Sequence, residues 1–308
     1  MAKDFSTMED SNRSENPSIH DVSDPTRRTL LRGGLMGTVG ALMAPLSASG
    51  LLSACASTSG PGPQIGFKTV PVSTADSVTV PDGYTAVAAF MWGEPVGVPG
   101  RMPAWSPDGS NSAADQEVQI GMHHDGMHYF PLDGSKRGLL AINHEYTDDG
   151  LLHVDGVRTW SAEKTRKSIA GHGVSIIEVE ERAGQWQAVL PSRYARRITA
   201  ATPMAIQGPA AGHTLMKTAA DPEGRRVLGT LNNCAHGYTP WGTYLTCEEN
   251  WAFYFNGPER PDAHQARWGL RKDGRGYRWH EHEERFDAVK HPNEPNRFGW
   301  VVEIDPMD

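Results

Sequence analysis

The sequence predicts an all-β protein, and three observations carry that reading. Short runs rich in β-branched and aromatic residues recur along the chain, each bounded by Gly, Pro, Asn or Asp. Glycine (33) and proline (22) are plentiful while apolar content is modest at 38%, which suits strands joined by turns better than a helical bundle. Beyond residue 55, no window of about fifteen residues shows a convincing helical apolar period.

The predicted strands follow in order. Tyr84–Phe90 comes after the turn Pro81-Asp82-Gly83, and Gly138–Ile142 stops at Asn143. Gly173–Val179 is β-branched and opens on glycine; Arg226–Leu231 ends at Asn232-Asn233. Gly242–Cys247 follows Thr239-Pro240-Trp241, and Gly299–Ile304 ends at Asp305-Pro306. The strands are uneven and the loops hold most of the polar residues. A β-propeller, which repeats small sheets radially, suits this better than a sandwich. No WD or kelch repeat is visible. Ending on an apolar strand, whose ladder edge would lie open, raises the expectation that the polypeptide is an N-terminal portion of a longer protein and its propeller incomplete.

Residues 1–55 read as an export signal. Thr26-Arg27-Arg28-Thr29-Leu30-Leu31-Arg32 fits the twin-arginine pattern, after a long polar n-region from Met1 to Pro25. Gly33 to Ala54 is uncharged and rich in Gly, Ala, Leu and Met, and its glycines suit a signal h-region better than a transmembrane helix. Two endings compete: Leu52-Ser53-Ala54-Cys55 as a lipobox, with Cys55 lipidated, and Ala54-Cys55-Ala56 as an ordinary peptidase site. The expected partner is the twin-arginine translocase. The expected location is outside the cytoplasm, periplasmic or held by lipid at Cys55, with the membrane touched only through signal or anchor. Residues 56–80 form a tether and lead-in, and 81–308 the β domain.

The net charge of -8, with signs well mixed, gives no basic face for a phosphate backbone, so a nucleic-acid partner is not expected. Beyond the signal only Cys234 and Cys247 remain, and in an oxidising compartment a disulfide is their default reading.

Four polar clusters could carry chemistry. His123-His124-Asp125-Gly126 with His128 reads as surface histidines. Asn143-His144-Glu145-Tyr146-Thr147-Asp148-Asp149 follows an apolar strand and offers oxygen donors without the EF-hand spacing. Asn232-Asn233-Cys234 and Thr246-Cys247-Glu248-Glu249-Asn250 bring a thiol, carboxylates and amides to neighbouring strand ends. Thiolate suits iron or zinc there, and carboxylates and amide carbonyls suit calcium. Glu248 and Glu249 alternate faces along a strand, so one metal would take Glu249 first. A Cys234–Cys247 disulfide with solvated glutamates is the competing reading. Trp279-His280-Glu281-His282-Glu283-Glu284 reads as a charged loop; Glu284 stands where a zincin motif needs its second histidine. Gly208–His213 lacks the lysine of a P-loop, and neither a G-x-S-x-G elbow nor a strand-borne G-x-G-x-x-G occurs.

At these clusters the sequence resembles the PhoX-type alkaline phosphatases. The segments concerned are GLLAINHEYTDD (138–149), HGVSIIEV (172–179), GPAAGH (208–213), LGTLNNCAHGYTPWGTYLTCEENW (228–251) and RFDAVKHPNEPNRFGWVVEIDP (285–306). The resemblance implies a six-bladed β-propeller that holds iron(III) and calcium and releases phosphate from phosphomonoesters, exported by the twin-arginine route. It implies Cys234 as iron thiolate and Glu249, with Glu248 second, as calcium or iron carboxylate; Asn143 and Glu145 are further metal-site residues. No residue is assigned as catalytic, and a monomer is expected. Family members are roughly twice as long, which strengthens the expectation of a partial propeller. The alternatives are a non-catalytic exported propeller that binds a ligand or partner, and an inactive truncated product.

Overall fold

The structure is a computed structural model that describes residues 68–308. Arg27, Arg28, the stretch Gly33 to Ala54, Cys55 and most of the tether lie outside the described residues. The chain divides into two units, Met1–Tyr84 and Thr85–Asp308. Described residues of the first unit, from 68, form turns and extended chain, with Lys68 and Asp82 paired at the surface. Among the described residues no helix is long and apolar enough to cross a membrane.

The second unit is built from small antiparallel sheets. β1 (His124–Asp133), β2 (Arg137–His144), β3 (Gly173–Arg182) and β4 (Gln185–Ala188) pair in that order, and β5 (Arg196–Ile198) also pairs with β3. β6 (Pro203–Ala205) and β7 (Arg226–Leu228) form a two-stranded ribbon. β8 (Asn233–Tyr238), β9 (Tyr244–Glu248) and β10 (Val301–Ile304) make a three-stranded sheet, ordered β10-β9-β8. The all-β expectation holds, and the separate small sheets are those of a β-propeller.

The central strands are buried on both faces, which is why β2 and β3 read as continuous apolar runs rather than alternations. Leu139, Ala141, Val174 and Ile176 pack with Phe130, Tyr244 and Ile304 in one core, and Ile142, Ile177 and Val179 with Val96 and Ile120 in another. A third core is largely aromatic: Trp251, Tyr254, Phe255, Trp279, Phe286 and Phe298 come from short turns beyond β9.

Several sequence expectations need correction. Tyr84–Phe90 forms no strand; Phe90 ends the run with φ +57°, which breaks extended geometry for a bulky residue. β7 stops at Leu228 because Gly229, at φ +92°, packs so closely that a Cβ there would lie 2.1 Å from the Ala200 carbonyl oxygen. β1, β4, β5, β6 and β8 went unpredicted. One ten-residue helix also forms where the sequence carries no helical apolar period. α1 (Ala113–Gln116) and α2 (Asp149–Leu152) are single turns, but α3 (Ala162–Gly171) spans ten residues, capped by Ser161, whose hydroxyl accepts from Lys164 N. Its buried face includes Thr165, Lys167 and Ser168, so no apolar stripe announces it. Burial of Lys167 is tolerated because its ammonium donates to the carbonyls of Gly109 (2.6 Å) and Leu152 (2.7 Å).

One guanidinium ties these parts together. Arg197 on β5 is buried and donates to the carbonyls of His172 (2.7 Å), Ala170 (3.0 Å), Gln116 (3.2 Å), Val174 (3.4 Å) and Gln119. Burial pulls its pKa down to about 9. Its partners are the end of α3, the turn into β3 and the segment after α1. Arg197→Ala would orphan these buried carbonyls, so it is expected to destabilise the chain by ~3 kcal/mol, read as a lower urea midpoint.

Candidate metal centre

Four acidic or thiol side chains meet where β1, β2, β8 and β9 come together. Asp125 lies near the start of β1, at an irregularity in its pairing with β2 between His124 and Met127. Glu145 directly follows β2, Cys234 is the second residue of β8, and Glu249 directly follows β9. Ligand atoms of Asp125, Glu145 and Cys234 all lie within 4.8 Å of one another. The Cys234 thiol also hydrogen-bonds with Asp125 and Glu249.

Backbone geometry makes the gathering possible. At Gly126, β1 runs so close to β8 that a Cβ would sit 2.7 Å from the Cys234 carbonyl oxygen. Buried Asn143, the penultimate residue of β2, donates from Nδ2 to that same carbonyl (2.7 Å). The Tyr244 hydroxyl of β9 lies 2.9 Å from Asn143 Oδ1 and 3.0 Å from the Gly126 carbonyl, its single proton shared between the two acceptors. Four strands, β1, β2, β8 and β9, are thereby pinned through one tyrosine and one asparagine. Glu145 N donates to the His123 carbonyl (3.0 Å), and Glu249 N to that of Asn232 (2.9 Å).

The electrostatics follow from this proximity. Burial, with Asp125 and Glu249 nearby, raises the Glu145 carboxyl above its ordinary value. Burial and the hydrogen bonds to Asp125 and Glu249 push the Cys234 thiol up to about 12. Burial, with the Asp125 and Cys247 charges, likewise raises Tyr244. The thiol of Cys234 is thus disfavoured as a thiolate by its surroundings, and a bound cation would favour the thiolate, because its charge reverses the sign of the local field. One thiol among carboxylates is a metal-type donor set, and the fit is good.

The sequence-predicted residues therefore separate by role. Cys234, Glu145 and Glu249 face the cluster. Asn143 lies beside it with its amide committed to Cys234 and Tyr244, the position of a support. Glu248 is engaged elsewhere: its half-buried carboxylate accepts from Gly299 N (2.8 Å), Trp300 N (3.2 Å) and Leu231 N (3.3 Å), and burial lifts it to about 7. Cys234 and Cys247 are both free. Asp125 was not singled out as a donor from the sequence. It stands among three histidines, and the signal available was Asp-Gly inside a strand, which marks close backbone approach. Those histidines have other partners: His123 stacks on Tyr146 at 3.8 Å, His124 Nε2 meets the Phe90 carbonyl at 2.7 Å, and His128 stacks on Tyr238 at 4.1 Å. In the fourth cluster Trp279 is fully buried, and Arg278 pairs with Glu281 at 2.6 Å.

A β protein with a thiol and carboxylates gathered at strand ends belongs, by fold and site, to the class of candidate metalloproteins. The family model "Alkaline phosphatase PhoX" matches residues 65–308, and the chain belongs to that family, whose members are metal-dependent. Among solved structures it is similar to Pseudomonas fluorescens PhoX in complex with vanadate, a transition state analogue: 49% identity, TM-score 0.76, 79% of this chain covered. The chain spans 42% of the length of that protein. No curated protein matches it.

With Cys55 and Cys247 replaced by serine and metal removed by chelator, Asp125→Asn is expected to lower the Cys234 pKa. The sign follows from the loss of a nearby carboxylate that disfavours the thiolate. Alkylation by iodoacetamide at pH 8 should then run several-fold faster than in the same background with Asp125 intact.

Proposed function

We propose that this protein is an exported, metal-dependent phosphomonoesterase of the PhoX type. The observation that carries the reading is the convergence of Asp125, Glu145 and Cys234 within 4.8 Å, from two strands and the end of a third, in a chain of the PhoX family. The structure of the similar Pseudomonas fluorescens protein is of its complex with vanadate, named there as a transition state analogue.

The donor set suits iron(III) and calcium. The Cys234 thiolate favours iron, while Asp125, Glu145 and Glu249 offer the oxygen donors that iron(III) and calcium accept. Bound there, such ions supply fixed positive charge that stabilises the charge developing on a transferring phosphoryl group. The chain's own part is to hold the donors: Asn143 and Tyr244 fix the backbone at Cys234 and Gly126, and the Glu145 and Glu249 amides are tied to His123 and Asn232. Asp125 and Glu249 are exposed, leaving an open side from which a phosphomonoester can approach. Phosphomonoesters are the proposed substrates, and a monomer the proposed state.

Full-length gene product should contain iron and calcium by elemental analysis. It should release p-nitrophenol from p-nitrophenyl phosphate in a calcium-dependent way that added zinc does not abolish. Cys234→Ser is expected to lose iron and at least a hundredfold in rate, on the order of what loss of a metal ligand costs. Iron and calcium present without any phosphate release would refute the catalytic claim.

Export is proposed from Arg27-Arg28 and the uncharged stretch behind them, with the twin-arginine translocase as transient partner and Cys55 as the candidate lipid site. Replacing both arginines by lysine should leave the product in the cytoplasmic fraction. Normal export of that variant would count against the route. Radiolabelled palmitate appearing in wild type and absent from Cys55→Ser would identify the anchor.

A further inference from the structure

Asn232 is 3% exposed and sits in the left-handed region at φ +50°, two residues before Cys234. Its side chain and backbone together reach the turns that carry the cluster's donors. Oδ1 accepts from Asn250 N (2.6 Å), which fixes the turn just after Glu249. Its backbone carbonyl accepts from Glu249 N itself (2.9 Å). Nδ2 donates to the Glu145 carbonyl (3.4 Å) and to the Tyr254 hydroxyl (3.0 Å).

The Tyr254 hydroxyl sets which end of the amide faces which partner. It lies 2.9 Å from His172 Nε2, while His172 Nδ1 lies 2.7 Å from the Ser168 carbonyl. A carbonyl only accepts, so Nδ1 carries the proton and Nε2 is the acceptor. Burial holds His172 neutral by lowering its pKa to about 4. Tyr254 therefore donates to His172 and has only its lone pairs left for Asn232, which must present its NH₂. The backbone amide of Asn250 in turn requires the amide oxygen. Both ends are specified, and an aspartate could satisfy only one.

We propose that Asn232 is a positioning residue for the metal centre. It sets the spacing of Glu145, Cys234 and Glu249, under orientation by Tyr254, and thereby sets metal affinity. The inference rests on the reading of this cluster as a metal site. Side chains just outside a ligand shell commonly govern affinity by about 10- to 100-fold. The left-handed backbone is separable from the side chain, because glycine takes φ near +50° without strain.

The test uses the full chain, stripped by chelator and titrated with cobalt(II), with Cys55 and Cys247 replaced by serine. The thiolate-to-cobalt charge-transfer band reports directly on Cys234, and Cys234→Ser must abolish it. Asn232→Gly is expected to weaken cobalt binding about 10- to 100-fold and to shift or diminish the band. Tyr254→Phe keeps the ring and removes only the hydroxyl, so it is expected to weaken binding several-fold; it decides the matter if Asn232→Gly does not fold. An unchanged band and affinity in Tyr254→Phe, or in folded Asn232→Gly, would overturn the proposal. A lower urea midpoint with unchanged cobalt binding would overturn it too, by making Asn232 a stabiliser only. Absence of the band in the parent chain would remove the metal reading and this inference with it, whereas a parent band unaltered in the variants removes the positioning role alone.

Discussion

Asp125, Glu145, Glu249 and the Cys234 thiol repel one another once ionised, yet the fold draws them into one small space. Holding like-charged groups together costs free energy in any protein, and at close range in partly desolvated surroundings the cost is several kcal/mol. Neutral scaffolding meets that cost here. Asn143, Asn232 and Tyr244 each use their polar atoms to fix backbone beside a donor, and none adds a charge of its own. The charged groups are thus placed by neutral amides and a hydroxyl.

That scaffolding has to rest on something rigid. β2 supplies it: paired on both edges and buried on both faces, it carries Asn143 and delivers Glu145 at its end. β9 does the same for Glu249, with Tyr244 buried at its start. Beneath the Glu249 turn lies the aromatic core of Trp251, Tyr254, Phe255 and Trp279, joined to α3 through Trp279 Nε1 and Ser168 Oγ (3.0 Å). The cluster is therefore continuous with buried core on both sides, and rigid support of this kind is what preorganises a site.

Membership of the PhoX family and likeness to a vanadate-bound relative place this arrangement in a phosphatase lineage. The internal logic of the cluster points the same way by a separate route. Asp125, Glu145, Glu249 and Cys234 form a thiol-and-carboxylate set of the kind metal ions take, with Asp125 and Glu249 on its exposed side.

The all-β class, the strands β2, β3, β9 and β10, and Cys234, Glu145 and Glu249 as residues of one polar cluster were legible in the amino-acid sequence. Each announces itself locally, through β-branched runs with turn residues or through acids and a thiol just beyond a strand. Helix α3 was hidden because its buried face holds a lysine and hydroxyls, satisfied by carbonyls far along the chain. Asp125 was hidden because its donor role depends on how β1 meets β8, and Glu248 looked equal to Glu249 until its carboxylate found three backbone amides. Residue type and strand periodicity are local properties, so the sequence by itself determined which groups could serve. Asn143 and the carbonyl of Cys234 are 91 residues apart and meet at 2.7 Å; which groups converge is decided by strand register and close backbone approach, and those exist only in the tertiary structure.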